Sequence, residues 1–373
     1  MQKLVYINFD FQDYKVKTLS QIKSFMKKGF IAYIITIIND NFVIYKVTSN
    51  LDLKKIKEEK ICKGNKYKRY KIIAKKVQHN VLKINPQITY IRRFGMKVIF
   101  YKKCIRNISK YSKIVFELPT FPFEKTNFIK YNLHQEIECL YLKYIIKKYV
   151  NVFAVNIQRD CKKWNNMVEI FNGVNIENFD INKRIQRKFN NKKIKLIGIA
   201  HLNYWHGYDR IIKTIEDDDD NILDFTILSN DTDEKNKLEK YVKQKKLNNK
   251  VHFLEQHNIN IMEKINQYDI AVGGIGYHRR GAKFDTSIKN KEYCAMGIPF
   301  IISCTDKAFP EDFKYIYKID ANDNKIDLKK MIAWYKKIAN EKNYIIQMHN
   351  YAKDNLSFDK SIEKILLAIE KDK

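Results

Sequence analysis

The sequence predicts an α/β protein made of two domains with parallel sheets. Three observations lead there. Short, apolar, β-rich runs alternate with amphipathic helical stretches, the pattern of right-handed strand–helix–strand units whose sheet is covered on both faces. The chain has 373 residues, and single hydrophobic cores rarely grow past about 250–300 residues. Hydrophobic residues make up 45% of it, which is enough for two packed cores and excludes a largely disordered chain.

In the first half, Leu4–Asn8 reads as a strand, Leu19–Lys27 as a helix and Phe30–Ile37 as a second strand. Strands follow at Ile88–Arg92, Lys113–Leu118 and Asn151–Val155, with helices near Gly95–Ile108 and Gln135–Tyr149. The densely charged segment Lys54–Lys83 is expected to include a surface helix. After the turn Asn172-Gly173, the polar stretch Ile176–Asn191 marks a change of domain.

The second half is more legible. Strands are expected at Ile194–Ala200, Ile222–Leu228, Val251–Leu254, Asp269–Gly273 and Ile298–Ser303. Helices are expected near Tyr208–Ile215, Glu234–Lys245, Ile261–Gln267 and Ser287–Met296, and Leu328–Lys373 reads as helical. These patterns give a Rossmann-like domain over residues 1–180, a second over 181–345, and a helix over 346–373 that crosses back to the first. In open parallel sheets, ligands bind beyond the carboxyl ends of the strands. The residues to inspect are therefore those just after each strand, facing a central cleft.

Charge and cysteine usage narrow the class. Lys and Arg number 71 against 42 Asp and Glu, so the net charge is 71 − 42 = +29. That could suit nucleic acid, an anionic membrane surface or an anionic substrate. Lys, Ile and Asn abound throughout, as an AT-rich genome would impose, so the charge alone does not choose between them. No nucleic-acid-binding motif appears and none is expected as a partner. The longest apolar run, Phe30–Ile38, falls far short of the roughly 20 residues that a membrane span needs, and Met1–Phe9 reads as a strand rather than a signal peptide. A cytoplasmic protein is expected. Its six cysteines are scattered with no C-x-x-C pair, which predicts reduced thiols rather than zinc or a disulfide framework.

The chemistry gathers after Asp269–Gly273. Gly273, Gly274, Gly276 and Gly281 let the backbone turn sharply and come close to a ligand, while His278, Arg279, Arg280 and Lys283 put positive charge in the same loop. A helix then starts near Asp285–Ser287 and ends at Gly297, with Pro299 preventing continuation. A helix N-terminus offers unpaired N–H groups and the positive end of a dipole, a seat for a diphosphate. Lys289 lies in its first turn, where a cation is unfavourable unless an anion is bound. Glu292, one turn on, can accept hydrogen bonds from a ribose diol. The plainer reading is a capped helix with solvated lysines; the glycine loop and the cations beside it favour a phosphate site.

These residues resemble the nucleotide-sugar signature of the retaining family-4 glycosyltransferases, which have the two-domain GT-B fold. The matching stretch is Lys291-Glu292-Tyr293 with Ala295, Gly297 and Pro299. Asn172-Gly173-Val174-Asn175 with Phe179 is similar to the family's N-G-V-D-x-x-x-F, and Ala200-His201-Leu202 with His206-Gly207 stands in the place of its G-R-L-x-x-x-K-G. Phe116-Glu117-Leu118-Pro119-Thr120-Phe121-Pro122 is similar to an E-I-P-T-Y-P segment of some bacterial polysaccharide glycosyltransferases. The chain departs from the family where His201 and His206 replace the Arg and Lys that neutralise the leaving diphosphate. The first carboxylate of its Glu-x7-Glu pair is Phe284 here, with Asp285 next to it.

The resemblance implies transfer of a sugar from a nucleotide-sugar donor, such as a UDP- or GDP-sugar, to a glycan or lipid-linked glycan acceptor in polysaccharide or lipopolysaccharide synthesis, with retention and without metal or cofactor. On this reading Arg279, Lys283 and Glu117 are catalytic. His201, His206, Gly207, Gly274, Gly276, His278, Ser287, Lys289 and Glu292 bind the donor, and Arg92 and Arg93 meet the acceptor. Glu117 equally fits a carboxylate capping the Pro119–Pro122 loop, His278 a packed loop histidine, and Arg92 and Arg93 surface arginines. Asp217–Asp220 reads as a solvated helix end and Asp231-Thr232-Asp233 as a structural imitation of a D-x-D metal motif. Assembly on a lipid carrier would place the protein on the inner face of the cytoplasmic membrane, and Lys54–Lys83 with Tyr67 and Tyr70 offers a surface for anionic lipid. The alternatives are a nucleotide-sugar epimerase of the same fold, which needs more carboxylates than can be placed, and a basic nucleic-acid-binding protein.

Overall fold

The computed structural model describes residues 2–61, 65–123, 129–186, 189, 193–255, 264–285 and 287–371, with the backbone alone at 129–131. The chain forms two compact units, Met1–Phe171 with Phe358–Lys373, and Asn172–Ser357. It changes unit after Phe171 and again after Ser357, whereas the sequence pattern set those changes at 180 and 345. The polar stretch behind that expectation carries short 3-10 turns of the second unit, Ile176–Asn178 and Ile181–Lys183.

The first unit holds an eight-stranded sheet. Its strands are β1 (Gln2–Ile7), β2 (Phe30–Ile38), β3 (Asn41–Val47), β4 (Leu53–Lys60), β5 (Ile88–Arg92), β6 (Lys113–Phe121), β7 (Val152–Ile157) and β8 (Met167–Glu169), in the order β4-β3-β2-β1-β5-β6-β7-β8. It is not purely parallel, because β3 and β4 pair antiparallel at one edge. The cause is local: Asn39 and Asp40 both take left-handed backbone (φ 47° and 63°), closing a two-residue turn between Ile38 and Asn41. The charged segment Lys54–Lys83 includes the expected surface helix from Lys66 onward, while residues 54–60 lie in β4, whose charged side chains suit an exposed edge.

Helix α1 (Lys15–Lys27), through Ile22 and Phe25, packs with the last helix of the chain over Leu4, Tyr6, Val115 and Ala154. The intervening residues Val5 and Ile7 are buried too, so both faces of the sheet are covered. Helix α2 (Lys66–Ile84) is capped by Asn65, whose side chain accepts from the Tyr67 N–H at 2.9 Å. It packs with α3 (Lys102–Ile108) and with the 3-10 turn Gly95–Tyr101, against which α4 (Ile129–Tyr141) also rests.

The second unit has a six-stranded, fully parallel sheet of β9 (Ile194–Ile199), β10 (Leu223–Leu228), β11 (Val251–Leu254), β12 (Ile270–Val272), β13 (Phe300–Ile302) and β14 (Ile316–Lys318), in the order β11-β10-β9-β12-β13-β14. Adjacent β9 residues enter different cores, Leu196 with Phe225 and Ile227, Ile197 with Ala271 and Phe300. Its helices are α5 (Tyr208–Glu216), α6 (Asp233–Gln244), α7 (Ile288–Ala295), α8 (Leu328–Ala339) and α9 (Tyr344–Asn355), and α10 (Phe358–Lys371) returns to the first unit. Most of the expected helix Ile261–Gln267 lies outside the described residues; Ile265–Gln267 form a 3-10 turn.

Both acidic clusters have structural work. Thr232 caps α6 by accepting from the Lys235 N–H (3.1 Å), so Asp231-Thr232-Asp233 is a helix start. Asp218 is not solvated as expected: it is buried and accepts from the N–H groups of Ile222 (3.0 Å) and Leu223 (2.8 Å).

Candidate functional site

In the second unit, the loop after β9 and the loop after β12 touch backbone to backbone. Gly207 has φ +73°, and a Cβ built there would lie 2.6 Å from the Gly276 nitrogen; one built on Gly276 would lie 2.9 Å from Gly207 Cα. The contact is sealed by the Ile275 N–H donating to the His206 carbonyl (3.0 Å). Gly274 joins a third loop through its carbonyl, which accepts from the Ser303 N–H (3.2 Å).

Against these loops stands the first turn of α7. Ser287 caps it, accepting from the Lys289 N–H (3.2 Å). Beneath the cap, Asp285 accepts from the Ser287 N–H (2.7 Å), and Asn290 donates to both Asp285 (2.8 Å) and Asp306 (3.0 Å). Lys291 is fully buried and ion-paired with Asp306, so it is no solvated lysine. Burial, and then the neighbouring Asp306 charge, push the Asp285 carboxyl up to about 6. This pair was missed in the sequence; Asp285 two residues before a helix cap was the available signal.

Lys289 Nζ lies 3.4 Å from Nε2 of His206, whose Nδ1 accepts from the Asn203 N–H at 3.0 Å. Burial, then the Lys289 charge, hold His206 down at about 3, so its ring is neutral near pH 7. His206 thus carries no charge in the place where the family has a lysine. The charge here belongs to Lys289, which burial lowers to about 8 and which stays mostly protonated at neutral pH. One turn on, Glu292 is half-buried; burial raises its pKa, opposed by Lys289.

Arg279 is committed within the protein. It makes a two-pronged pair with Asp209 (2.8 and 2.9 Å), a third bond to Asp323 (2.7 Å) and a fourth to the Tyr204 carbonyl (2.6 Å). A guanidinium so occupied fixes the loop rather than standing open to a phosphate. His278 shares Asp323, with Nε2 3.1 Å from Oδ1. Arg280 lies over the Tyr277 ring at 4.4 Å. His201 and Lys283 are exposed on their loops. Nothing in the sequence pairs Asp209 with Arg279, because they are 70 residues apart.

The remaining candidates sit in the first unit, and all are already partnered. Glu117 is fully buried, with Lys17 Nζ at 2.9 Å, Arg92 Nη1 at 3.0 Å, the Tyr90 hydroxyl at 2.9 Å and Gln21 at 3.3 Å. Burial alone would raise its pKa, but Lys17 and Arg92 outweigh it and hold the carboxyl at about 2. With no exposed surface and so acidic a group, Glu117 is not an acceptor-side base, and it does not cap the following loop. Arg92 is buried against it and lies over the Tyr14 ring (4.0 Å). Arg93 makes a fork with Glu138 (2.8 and 2.7 Å) and stacks on Phe123. Near the ends of β6 and β7 is a cavity of about 340 Å³ that the sequence did not suggest, lined by Phe123, Gln135, Glu136, Cys139 and Arg159 among others.

Among the described residues no three His, Cys, Asp or Glu side chains converge as a metal-binding set. No family model matches the chain, and no curated protein matches it by sequence. Solved structures do. A glycosyltransferase from Rickettsia africae superposes with a TM-score of 0.71 at 14% identity, over 100% of this chain and 98% of that one. The catalytic domain of starch synthase IV from Arabidopsis thaliana, bound to ADP and acarbose, gives 0.64 at 12% identity over 100% and 99%. HepE of Anabaena, in complex with UDP and glucose, gives 0.61 at 8% identity over the whole of both chains. The chain therefore has the GT-B fold of glycosyltransferases.

Proposed function

We propose that the protein is a glycosyltransferase that moves a sugar from a nucleotide-sugar donor to a glycan or lipid-linked glycan acceptor, retaining the anomeric configuration and needing no metal. The observation that carries this reading is Lys289, a partly buried cation in the first turn of α7, 3.4 Å from a neutral histidine and beside loops brought together at a glycine pair. A cation at the positive end of a helix is unfavourable by itself and becomes favourable once a diphosphate lies there. In the transfer, the diphosphate leaves an anomeric carbon of oxocarbenium character. The N–H groups of α7 and Lys289 would stabilise the charge that develops on it, the task a metal performs elsewhere. The solved structures of the same fold that hold ADP or UDP, the starch synthase domain and HepE, agree with a nucleotide-bound donor.

The test is turnover of a panel of UDP-, GDP-, ADP- and TDP-sugars followed by mass spectrometry, with and without EDTA. Consumption of one donor, unaffected by chelation and giving a product of retained configuration, is expected. Loss of activity in EDTA, restored by Mg²⁺ or Mn²⁺, would overturn the metal-free reading. Glu292→Ala should weaken donor binding by about 1–3 kcal/mol, the value of hydrogen bonds from ribose hydroxyls to a partly buried carboxylate. Titration calorimetry reads it, and unchanged affinity with an intact fold would remove Glu292 from the site.

A further inference from the structure

The cavity of about 340 Å³ in the first unit lies beyond the carboxyl ends of β6 and β7, the part of an open parallel sheet where ligands bind. Its lining comes from three places. Phe123 follows β6 and Arg159 follows β7. These two loops are tied where Arg159 Nη2 donates to the Phe123 carbonyl (2.6 Å) and the Gln158 N–H donates to the Phe121 carbonyl (2.9 Å). The third wall is α4, where Asn132, Gln135, Glu136 and Cys139 fall at i, i+3, i+4 and i+7, the spacing of one helix face.

A helix face turned towards the protein is ordinarily apolar, and this one is not. Gln135 is only 8% exposed and lines the cavity, yet among the described residues its side-chain amide has no hydrogen-bond partner. A buried amide left unpaired is destabilising, so it calls for a partner from outside the chain. The rest of the lining narrows what that partner is. Glu136 and Arg159 bring one charge of each sign, which favours neither an anion nor a cation. The Phe123 ring, covered on one face by the Arg93 guanidinium at 3.8 Å, adds apolar surface. Burial pushes the Cys139 thiol up, so it stays neutral and acts as a small apolar group. A fitting ligand is therefore uncharged, with a hydrogen-bond donor and an acceptor beside a small apolar end.

We propose that this cavity binds the acetamido group of a 2-acetamido sugar carried by the acceptor. Gln135 offers a carbonyl to the acetamido N–H, and its own amide N–H groups and those of Arg159 offer donors to the acetamido carbonyl. The methyl group packs on Cys139 and Phe123. The volume, near the lower end of the roughly 300–1,000 Å³ of small-ligand sites, suits one sugar ring rather than a run of them. A plain hydroxyl at the same position could reach Gln135 but would leave the apolar wall without a partner. The chemistry of the ligand is read from the cavity; its place as acceptor rests on the proposed transfer.

The test is saturation-transfer NMR on the full chain, titrating the methyl glycosides of N-acetylglucosamine and N-acetylgalactosamine against those of glucose and galactose. Saturation is expected at the acetyl methyl protons, with the hydroxyl counterparts bound roughly tenfold more weakly or worse. Gln135→Leu should weaken the acetamido glycosides about tenfold while melting no lower than the wild type, because it removes an unpaired buried amide. Cys139→Leu, which fills the cavity from another position, should weaken them too. The inference falls if the hydroxyl glycosides bind as well as the acetamido ones, if neither kind binds, or if both variants bind like the wild type. Binding of acetamido glycosides through Gln135 with no nucleotide sugar consumed would uphold the site and overturn the transfer instead, so the two failures are told apart.

Discussion

Glu117→Gln should destabilise the first unit by about 3 kcal/mol, the largest loss expected of any single polar substitution there. Two lines of reasoning give that size. A carboxyl held at about 2, against 4.5 when unperturbed, reports about 3 kcal/mol of favourable interaction. Separately, removing one partner of a buried ion pair costs about 3–5 kcal/mol, because the other charge is left without compensation. Here two charges are left, Lys17 and Arg92, and glutamine neutralises neither. Urea unfolding of the intact chain measures the loss, which should fall on the transition of the first unit. The same group sets an acid limb. Its pKa is depressed on folding, so its contribution is present above about pH 4.5 and is lost as pH falls towards 2. The variant should lack this limb. A loss below about 1 kcal/mol would mean that Lys17 and Arg92 find water and that the pair is not truly buried.

The network also explains how the first unit is assembled. Lys17 and Gln21 lie on α1, Tyr90 and Arg92 on β5, and Glu117 on β6. One carboxylate therefore ties a helix to two strands. Its role is to position these elements, and the proton transfer that the sequence offered it has no route to a substrate.

The second unit was legible because its inner strands are buried on both faces and stand out as apolar runs, as in Ile270–Val272 and Phe300–Ile302. In the first unit the hairpin of β2 and β3 escaped notice. Its signal is Asn39-Asp40 between two apolar stretches, a tight turn that parallel strand–helix–strand units do not contain. Strand β14 offers just Ile316-Tyr317-Lys318, too short for any periodicity. At the site, the glycine loop and the Ser287 cap were readable because each depends on neighbouring residues. The partners of Arg279, Lys291 and Glu117 are set by tertiary packing across 15 to 100 residues, and a charged residue looks the same in sequence whether solvated or paired. Strand register, which places Tyr6 beside Tyr90 and Arg92 beside Glu117, would have gathered part of the Glu117 set.

Gly207→Ala should cut donor binding about a hundredfold, because the loops after β9 and β12 could no longer meet. Two costs combine. At φ +73° an L-residue pays about 1–2 kcal/mol of backbone strain. The new methyl would also lie 2.6 Å from the nitrogen and 2.8 Å from the Cα of Gly276, and backbone atoms cannot rotate out of the way. The loop must withdraw, breaking the bond from the Ile275 N–H to the His206 carbonyl and carrying His206 away from Lys289. Gly281→Ala is the control. It has nearly the same φ, +70°, but a Cβ there meets nothing within 4 Å. It should pay the strain alone, about 1–2 kcal/mol of stability, and keep its affinity for the donor nucleotide. Calorimetry with UDP or ADP, alongside thermal melts of both variants, separates the two effects. If the two alanine variants lose nucleotide affinity equally, the close approach of Gly207 to Gly276 is not what builds the site.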